Sequence, residues 1–423
     1  MRSCAIEVFH GGVWHRAGLL ERASDGEGRH DPTWLEYDVD YAADRLGARD
    51  ARALSVRLPV DFSLTKVESF PAFAIDLLPQ GEARRVLQAR LRDEGVRASE
   101  WALLTHGAGN PVGNLRIAEA VKEAPPAGPG VTREDVAARG ESFHRWALDE
   151  GIPMTGSTDT SGASPKLLLT EDEQGKLHAD GVLPDARAQR HFIVKFPRGR
   201  TTQDRRVLDN EAPYLEVLRG LGLRCHAALE LVGEALFVPR FDRVRLTRGL
   251  ERRGLESAYS ILGVVDAGAR LAYEDVARAV AAEVDQPERD VIELVLRDAA
   301  ALALGNTDNH GRNTSLCKRE DGTVELSPVY DFAPMILDPE MIRRRTCWRS
   351  EPPSGGIPDW SDVCASLDDV VAREVLAPAL RAMGEALEEV EPRMREAGVD
   401  EELIIARRPG IRAVADGLRG AEL

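Results

Sequence analysis

The first hundred residues show patterns typical first of strands and then of helices. Apolar and polar residues alternate over Ala5–Phe9 and again over Val13–Leu20, with a turn signal at Gly11 and Gly12 between them. Apolar residues then recur at helical spacing over Glu82–Glu94. The pattern predicts a small β-rich beginning followed by helix.

The segment 122–132, KEAPPAGPGVT, is the clearest linker, because three prolines and two glycines interrupt any helix or strand. Beyond it, strand patterns surround one helix predicted over Leu208–Leu221, and after about Leu271 the chain is mostly helical. The order β-rich and then α-rich is typical of the α+β class. We therefore predict an N-terminal subdomain, a linker, a β-rich lobe and a mostly helical lobe, at 1–121, 122–132, 133–243 and 244–423.

Charge and cysteine content narrow the function further. The 423 residues carry a formal net charge of −16, which makes bulk attraction to nucleic acid or to an anionic membrane a poor hypothesis. Basic residues cluster from Arg187 to Arg253, either as a solvated surface or as part of a phosphate-handling cleft. The five cysteines form no CxxC pair and no 18 consecutive residues are apolar. We expect a cytoplasmic protein without a zinc site, disulfide scaffold or membrane segment.

The most informative segment is 304–316, LGNTDNHGRNTSL. Asp308 and Asn313 are spaced as D-x-x-x-x-N, as in the catalytic loop of protein kinases, where the Asp accepts the substrate hydroxyl proton and the Asn holds Mg²⁺. Alone, this motif is weak, and a solvated polar loop would explain it equally well. His310 lies inside the loop, where it would act near phosphates or stabilise the loop by a hydrogen bond.

A second acidic residue follows the loop at a favourable distance. Asp331 lies 18 residues past Asn313, in the apolar segment LSPVYDFA, and resembles the Mg²⁺-binding Asp of a D-F-G element. Thr314–Leu316 and Thr323–Leu326, separated by an Asp-Gly turn, predict a hairpin. Such a hairpin would return Asp331 to the neighbourhood of Asn313 and form a site for a hard cation.

Two upstream residues complete the pattern of a kinase. Lys195 lies in the short apolar strand FIVKF, and Glu211 opens a helix 16 residues later. They match a strand Lys that contacts ATP phosphates and a helix Glu that orients it. The alternatives are an edge-strand Lys and an Asn-Glu pair that belongs to a helix N-cap.

A loop of small residues, TDTSGASPK, lies at 158–166 before the Lys195 strand. Small residues let backbone N–H groups approach phosphate oxygens, although this is no Walker A motif and an ordinary turn is the alternative. Along the chain the five motifs occur in the order glycine loop, strand Lys, helix Glu, D-x-x-x-x-N and strand Asp. This order is more informative than any one motif.

At these positions the sequence resembles the HipA family of bacterial Ser/Thr kinases. The resemblance covers most of the chain and is strongest in the segments SGASPKLLL, HFIVKFP, NE, FVPRFDR, NTDNHGRN and SPVYDFAP. Fainter matches are FPAFAIDLLPQG and PVGNLR, before the linker. The resemblance implies a two-lobed kinase-like fold preceded by a small N-terminal subdomain.

The resemblance also implies a role for each candidate residue. Asp308 would be the catalytic base, Asn313 and Asp331 would hold Mg²⁺, and Lys195 would contact the phosphates. FVPRFDR would be the hinge strand, with the backbone around Val238 and Arg240 meeting adenine. The other candidates for nucleotide binding are Ser161, Gly162, Ala163, Lys166, Glu211 and His310.

Family members are typically toxins restrained by a small helix-turn-helix antitoxin of the HipB type, and many autophosphorylate a Ser in the glycine loop. Here Asp159 occupies the position where the family has that Ser. Self-inactivation would therefore use Ser161, Thr158 or Thr160. Asp159 would either mimic part of a phosphate's charge or form an Asx-turn.

These patterns predict an ATP- and Mg²⁺-dependent kinase that acts on a Ser or Thr of a protein. Two alternatives stay open: a catalytically weak nucleotide-binding regulator, and a toxin that acts directly on nucleic acid. The acidic charge argues against the second. A small-molecule or lipid kinase would share the same ATP chemistry.

Overall fold

The computed structural model describes residues 2–149, 165–247, 249–352 and 355–421. Their contacts divide the chain into two compact units. Unit 1 comprises Met1–Gly199, Glu230–Asp266 and Cys317–Thr323, and unit 2 comprises Arg200–Leu229, Ala267–Leu316 and Val324–Leu423. The domain bounds inferred from the sequence stay a prediction.

Strands occur in both units, and most of them lie in unit 1. Within the described residues they are β1 (Ser3–His10), β2 (Val13–Arg22), β3 (Thr33–Tyr37), β4 (Thr65–Val67), β5 (Leu115–Ile117), β6 (Lys166–Glu171), β7 (Leu177–Ala179), β8 (Arg190–Lys195), β9 (Glu230–Val232), β10 (Ala235–Pro239), β11 (Arg243–Leu246), β12 (Gly249–Arg252), β13 (Gly254–Ser257), β14 (Leu271–Ala272), β15 (Ser315–Lys318), β16 (Val324–Leu326) and β17 (Thr346–Cys347).

Helices occur in both units, and the longest of them lie in unit 2. The described helices are α1 (Val39–Arg45), α2 (Ala72–Asp76), α3 (Gly81–Asp93), α4 (Glu100–Gly107), α5 (Arg133–Ala138), α6 (Glu141–Asp149), α7 (Thr202–Asp209), α8 (Glu211–Gly220), α9 (Ala258–Leu262), α10 (Tyr273–Glu283), α11 (Pro287–Leu304), α12 (Trp360–Ser366), α13 (Arg373–Glu388), α14 (Val390–Glu396) and α15 (Glu401–Arg419). A β-rich beginning and a helical C-terminal part confirm the α+β prediction.

Unit 1 contains two five-stranded antiparallel sheets, each with its own core. The first has the strand order β4-β3-β2-β1-β5 and packs on a cluster that includes Ile6, Leu20 and Trp101. The second has the order β7-β6-β8-β10-β9 and packs on a separate cluster that includes Phe192 and Phe237. β3 alternates buried positions with more exposed ones, whereas β7 and the middle of β1 are buried on both faces.

The stretch Leu208–Leu221, predicted to be helical, contains two helices, α7 and α8, that meet at Asn210. The helix start predicted at Glu211 is confirmed. Pro213 explains the break, because it has no N–H to donate to the carbonyl of Asp209 and its ring crowds that carbonyl. Proline is tolerated in the first turn of a helix, where N–H groups have no intrahelical partner. A new helix therefore begins at Glu211.

The predicted linker, 122–132, contains no helix or strand, but Val131 at its end forms an isolated bridge with Leu177. All five cysteines lie in the described part of the chain and are free thiols. Within the same ranges no helix is both long enough and apolar enough to cross a bilayer.

Candidate functional site

In unit 1, the predicted ATP lysine lies beside a second lysine. Lys195 ends β8 and is directly opposite Lys166 in β6. Directly opposed residues of antiparallel strands project to the same face of the sheet, so these two side chains share a face. Lys195 is buried and Lys166 is exposed. Like charges in opposed positions repel, and an anion that contacts both side chains would reduce this repulsion.

The backbone groups of the predicted hinge strand are oriented by its pairing with β8. Val238 lies opposite Ile193, and the Arg240 N–H donates to His191 O at 2.9 Å. Alternate residues of an antiparallel strand direct their backbone groups to the same neighbour, so the Val238 N–H also faces β8. These N–H groups face β8. The carbonyl of Pro239 faces the opposite side of the strand, the side on which β9 lies.

The side chain of Arg240 lies inside a buried network of four charges. It donates to Asp180 Oδ2 at 2.8 Å and to both oxygens of Asp242, at 2.9 and 2.7 Å. Asp242 also accepts from Arg243 at 2.7 Å and from the Gly113 N–H at 2.8 Å. The four charged side chains are at most 5% exposed. The network joins two segments of the resemblance, PVGNLR and FVPRFDR.

This network predicts that stability falls in acid. Burial raises the pKa of Asp242, but Arg240 and Arg243 outweigh burial and hold the pKa well below its usual range. The pKa of Asp180 is likewise lowered, because Arg240 and His191 outweigh burial. A carboxyl with a lowered folded-state pKa stabilises the fold above about pH 4, and this stabilisation is lost as the pH falls below that value.

Urea unfolding between pH 7 and pH 3 would measure the effect, which has a limit of about 1.4 kcal/mol per pH unit for each carboxyl. An Asp242→Asn variant is the control. The difference in free energy of unfolding between the parent and this variant should be constant from pH 7 to pH 5 and shrink below pH 4. A difference that persists unchanged to pH 3 would contradict the expectation.

In unit 2, the predicted Glu211 is a buried residue at the start of α8, only 5% exposed. A carboxylate at this position interacts favourably with the positive end of the helix dipole. Asn210 does not cap the helix with its side chain. Its amide instead donates to Arg206 O at 2.8 Å and accepts from the Asp400 N–H at 2.9 Å. Asn210 is thus the N-cap residue of α8 by position, without a capping bond from its side chain, and the N-cap alternative stays open.

The catalytic-loop segment begins where α11 ends. Gly305 has φ +81°, and a Cβ there would lie 3.0 Å from Arg407 Nε and from Ile336 Cγ2. The last carbonyls of a helix have no intrahelical donor. Arg407 supplies donors to Leu302 O at 2.9 Å and to Ala303 O at 2.8 Å. The cation also interacts favourably with the helix dipole, so the base of the loop is held firmly.

Hydrogen bonds within the loop close it on itself. The Asp308 N–H donates to Asn306 Oδ1 at 3.2 Å, and Asn313 Nδ2 donates to Asp308 O at 2.7 Å. The Asn313 N–H donates to His310 O at 2.8 Å. His310 Nε2 lies 3.7 Å from Asp308 Oδ1, which is too long for a hydrogen bond. The backbone N–H and carbonyl of Asp308 both help to hold the loop, and its side chain is 26% exposed.

The same bonds orient the amide of Asn313. A carbonyl oxygen can only accept, so the NH₂ group of Asn313 must face Asp308 O, and its Oδ1 points the other way. Asn313 therefore closes the loop with its NH₂ group and can bind a cation with Oδ1.

The predicted hairpin is present as β15 and β16, and the Ser327 N–H donates to Ser315 O at 2.8 Å. At its base, Tyr330 Oη donates to Arg312 O at 2.5 Å and lies 2.6 Å from Ser315 Oγ. Tyr330 directly precedes Asp331, and Arg312 directly precedes Asn313. The hairpin and this tyrosine bring the two predicted metal-binding segments together.

Asp331 has φ +54°, in the left-handed region that residues other than glycine seldom adopt. Asp tolerates this region better than most residues, but the strain is still of the order of 1–3 kcal/mol. Strained residues cluster at functional sites, where the surrounding structure enforces them. The observation supports a functional role for Asp331.

The donor chemistry of this segment fits a hard cation. Carboxylate and amide oxygens are the ligands that Mg²⁺ takes from proteins, usually only one or two of them, with water and phosphate completing its shell. In the described ranges no group of three or more His, Cys, Asp and Glu residues could hold a metal ion. Two side chains, Asn313 and Asp331, suffice for a cation shared with phosphates.

The glycine-loop predictions lie outside the described residues. They are Thr158, Asp159, Thr160, Ser161, Gly162 and Ala163.

Several residues that shape the site were missed by sequence reasoning. Asn306 and Tyr330 hold the catalytic loop and the hairpin, and Arg407 holds the end of α11. Asn306 and Tyr330 lie within two residues of Asp308 and Asp331, so their polar side chains were a usable signal. Arg407 lies about 100 residues from its partners, and nothing local distinguishes it from other arginines.

Comparisons with known proteins identify a family model and several relatives. Residues 158–393, more than half of the chain, match the model of the HipA-like C-terminal domain. Two curated proteins named "putative kinase" are 26% identical over 201 residues, from Haemophilus influenzae, and 25% identical over 312 residues, from Sinorhizobium fredii. The matches cover 43% and 68% of this chain. They span 54% and 69% of the relatives' own lengths.

The fold is that of a solved HipA. The structure of the Shewanella oneidensis toxin–antitoxin system HipA, HipB and operator DNA superposes with a TM-score of 0.69 at 17% identity, covering 99% of this chain and 100% of the solved chain. An identity this low shows the fold alone. With the match to the C-terminal domain model, the conclusion is that this chain belongs to the HipA-like family.

Proposed function

We propose that the chain is an ATP- and Mg²⁺-dependent Ser/Thr protein kinase of the HipA-like toxin type. The observation that carries the proposal is the link from Tyr330 to Arg312, which joins the segments of Asp331 and Asn313 at the base of one hairpin. The strained backbone of Asp331 and the outward Oδ1 of Asn313 support it. The kinase names of the two relatives agree with it.

Each residue has a distinct proposed role. The Asp308 carboxylate accepts the proton of a Ser or Thr hydroxyl as its oxygen attacks the γ-phosphorus, and the bond to the bridging oxygen breaks to release ADP. Lys195 and Lys166 neutralise phosphate charge, and Glu211 orients the lysine. Mg²⁺, held by Asn313 and Asp331, would neutralise charge on the phosphate oxygens. Adenine would contact the hinge through the carbonyl of Pro239.

The biological setting is also part of the proposal. The solved HipA is in complex with HipB and operator DNA, and we propose that a small HipB-like helix-turn-helix antitoxin restrains this chain in the cytoplasm. Autophosphorylation would use Ser161, Thr158 or Thr160. The target is a protein with a Ser or Thr acceptor.

The test is transfer of labelled γ-phosphate from ATP to the protein itself and to proteins of a bacterial lysate. With Mg²⁺ we expect phosphoserine or phosphothreonine, identified by mass spectrometry. Excess EDTA should reduce transfer to background, and added Mg²⁺ should restore it, since two side chains alone hold the ion weakly.

Two outcomes would contradict the proposal. Binding of ATP without transfer to any protein would indicate a nucleotide-binding regulator. Cleavage of nucleic acid without ATP would indicate a toxin that acts directly on nucleic acid.

A further inference from the structure

Tyr214 connects the helix of Glu211 with the base of the catalytic loop. It lies in α8, three residues after Glu211, and is completely buried. Residues three apart in a helix lie on the same face. Tyr214 Oη donates to Leu304 O at 3.0 Å. Leu304 is the last residue of α11, so its carbonyl has no intrahelical donor.

The ring of the same tyrosine contacts the other predicted metal-binding segment. The centroids of Tyr214 and Phe332 are 6.2 Å apart with their planes at 42°. Phe332 directly follows Asp331 and is itself 5% exposed. One side chain therefore touches the residue after Asp331 and the residue four positions before Asp308.

The chemistry of Tyr214 suits a fixed link. Burial raises the pKa of its phenol well above the usual range, so the hydroxyl remains a donor at any physiological pH. A buried hydroxyl that lost its acceptor would be left unsatisfied, so the bond resists displacement. Leu304 O accepts from Tyr214, whereas the two preceding carbonyls accept from Arg407.

We infer that Tyr214 is a positioning residue that sets the catalytic loop and the Asp331 segment against the helix of Glu211. The inference rests on the proposed kinase function. Tyr214 touches neither nucleotide nor acceptor in this role and acts through Leu304 and Phe332. Small displacements of reacting groups are costly, since a misplacement of about 1 Å can lower a rate roughly 100-fold.

The test is a Tyr214→Phe variant, which removes the hydroxyl and keeps the ring. We expect kcat for phosphoryl transfer to fall roughly 10-fold while KM for ATP changes less than about 2-fold, because the loop and not the nucleotide contacts is disturbed. Hydrogen exchange should quicken in residues 305–313. A Tyr214→Leu variant, which also loses the ring, should show faster exchange in 331–335 as well.

Tyr41→Phe is the matched control, since Tyr41 in unit 1 is also buried and donates to a backbone carbonyl, that of Arg52. It should leave kcat and the exchange of 305–313 unchanged. Equal losses in both variants, or an unchanged kcat and exchange in Tyr214→Phe, would overturn the inference. If the parent chain transfers no phosphate, the kinase proposal fails, and the exchange of 305–313 alone decides whether Tyr214 holds the loop.

Discussion

Replacing Asp308 by asparagine is expected to lower kcat for phosphoryl transfer by about 10²–10⁴-fold, the usual contribution of a general base, while ATP binding stays unchanged. Two bonds to this residue use its backbone N–H and carbonyl, to Asn306 and Asn313. An asparagine keeps both bonds and the shape of the side chain. The variant therefore keeps these two bonds and removes the carboxylate that would accept the proton.

Single-turnover transfer from labelled ATP and calorimetric ATP binding would separate the two quantities. Asp321→Asn is a matched control, because Asp321 lies in the exposed turn of the hairpin and accepts from the Thr323 N–H, as an asparagine also can. The control should retain full activity. If Asp308→Asn keeps transfer within about 5-fold of the parent, Asp308 is not the base.

An Asp242→Asn variant is expected to lose about 3–5 kcal/mol of the free energy of unfolding, the range for removing one partner of a buried ion pair. Asp242 accepts from Arg240, Arg243 and the Gly113 N–H, and its side chain is only 2% exposed. Asparagine has nearly the same volume, so packing hardly changes. The loss arises because the guanidinium groups of Arg240 and Arg243 stay buried after the negative charge of Asp242 has been removed.

Urea unfolding at pH 7 would measure this loss. Asp185→Asn is the control, because Asp185 pairs with Arg252 at 3.0 Å but is 38% exposed. A partly exposed pair contributes about 0–1 kcal/mol. An Asp242→Asn variant as stable as the control would show that the network contributes little to stability. Adding Arg243→Met to Asp242→Asn should recover part of the loss, since it removes one of the two excess charges.

Features encoded within a short stretch of chain were predictable. The strands at the start, the hairpin between Asn313 and Asp331 and the helix before the loop follow from periodicity and turn residues. The helix start at Glu211 was predicted, but α7 was not separated from α8 in the stretch Leu208–Leu221, because the apolar spacing continues through Asn210. The predicted roles of Lys195, Glu211, Asp308, Asn313 and Asp331 stay predictions.

Arg240 illustrates what a local pattern cannot decide. The sequence placed it in a strand, but the pairing with β8 determines which edge its backbone faces, and Asp180, 60 residues away, takes up its side chain. A one-residue change of register would reverse both results. Register depends on contacts between distant strands, so no single segment of the sequence determines it.

By itself, then, the sequence determined the order of the elements, the identities of the candidate catalytic residues and the hairpin that joins two of them, because these depend on spacing along the chain. Only the tertiary structure decided that Tyr214 and Arg407 hold the base of the loop and that Arg240 is part of a buried network. Those roles depend on which polar groups, distant in sequence, are buried next to each other when the chain folds. Each such group must find a partner, and only the packed fold determines which partner is within reach.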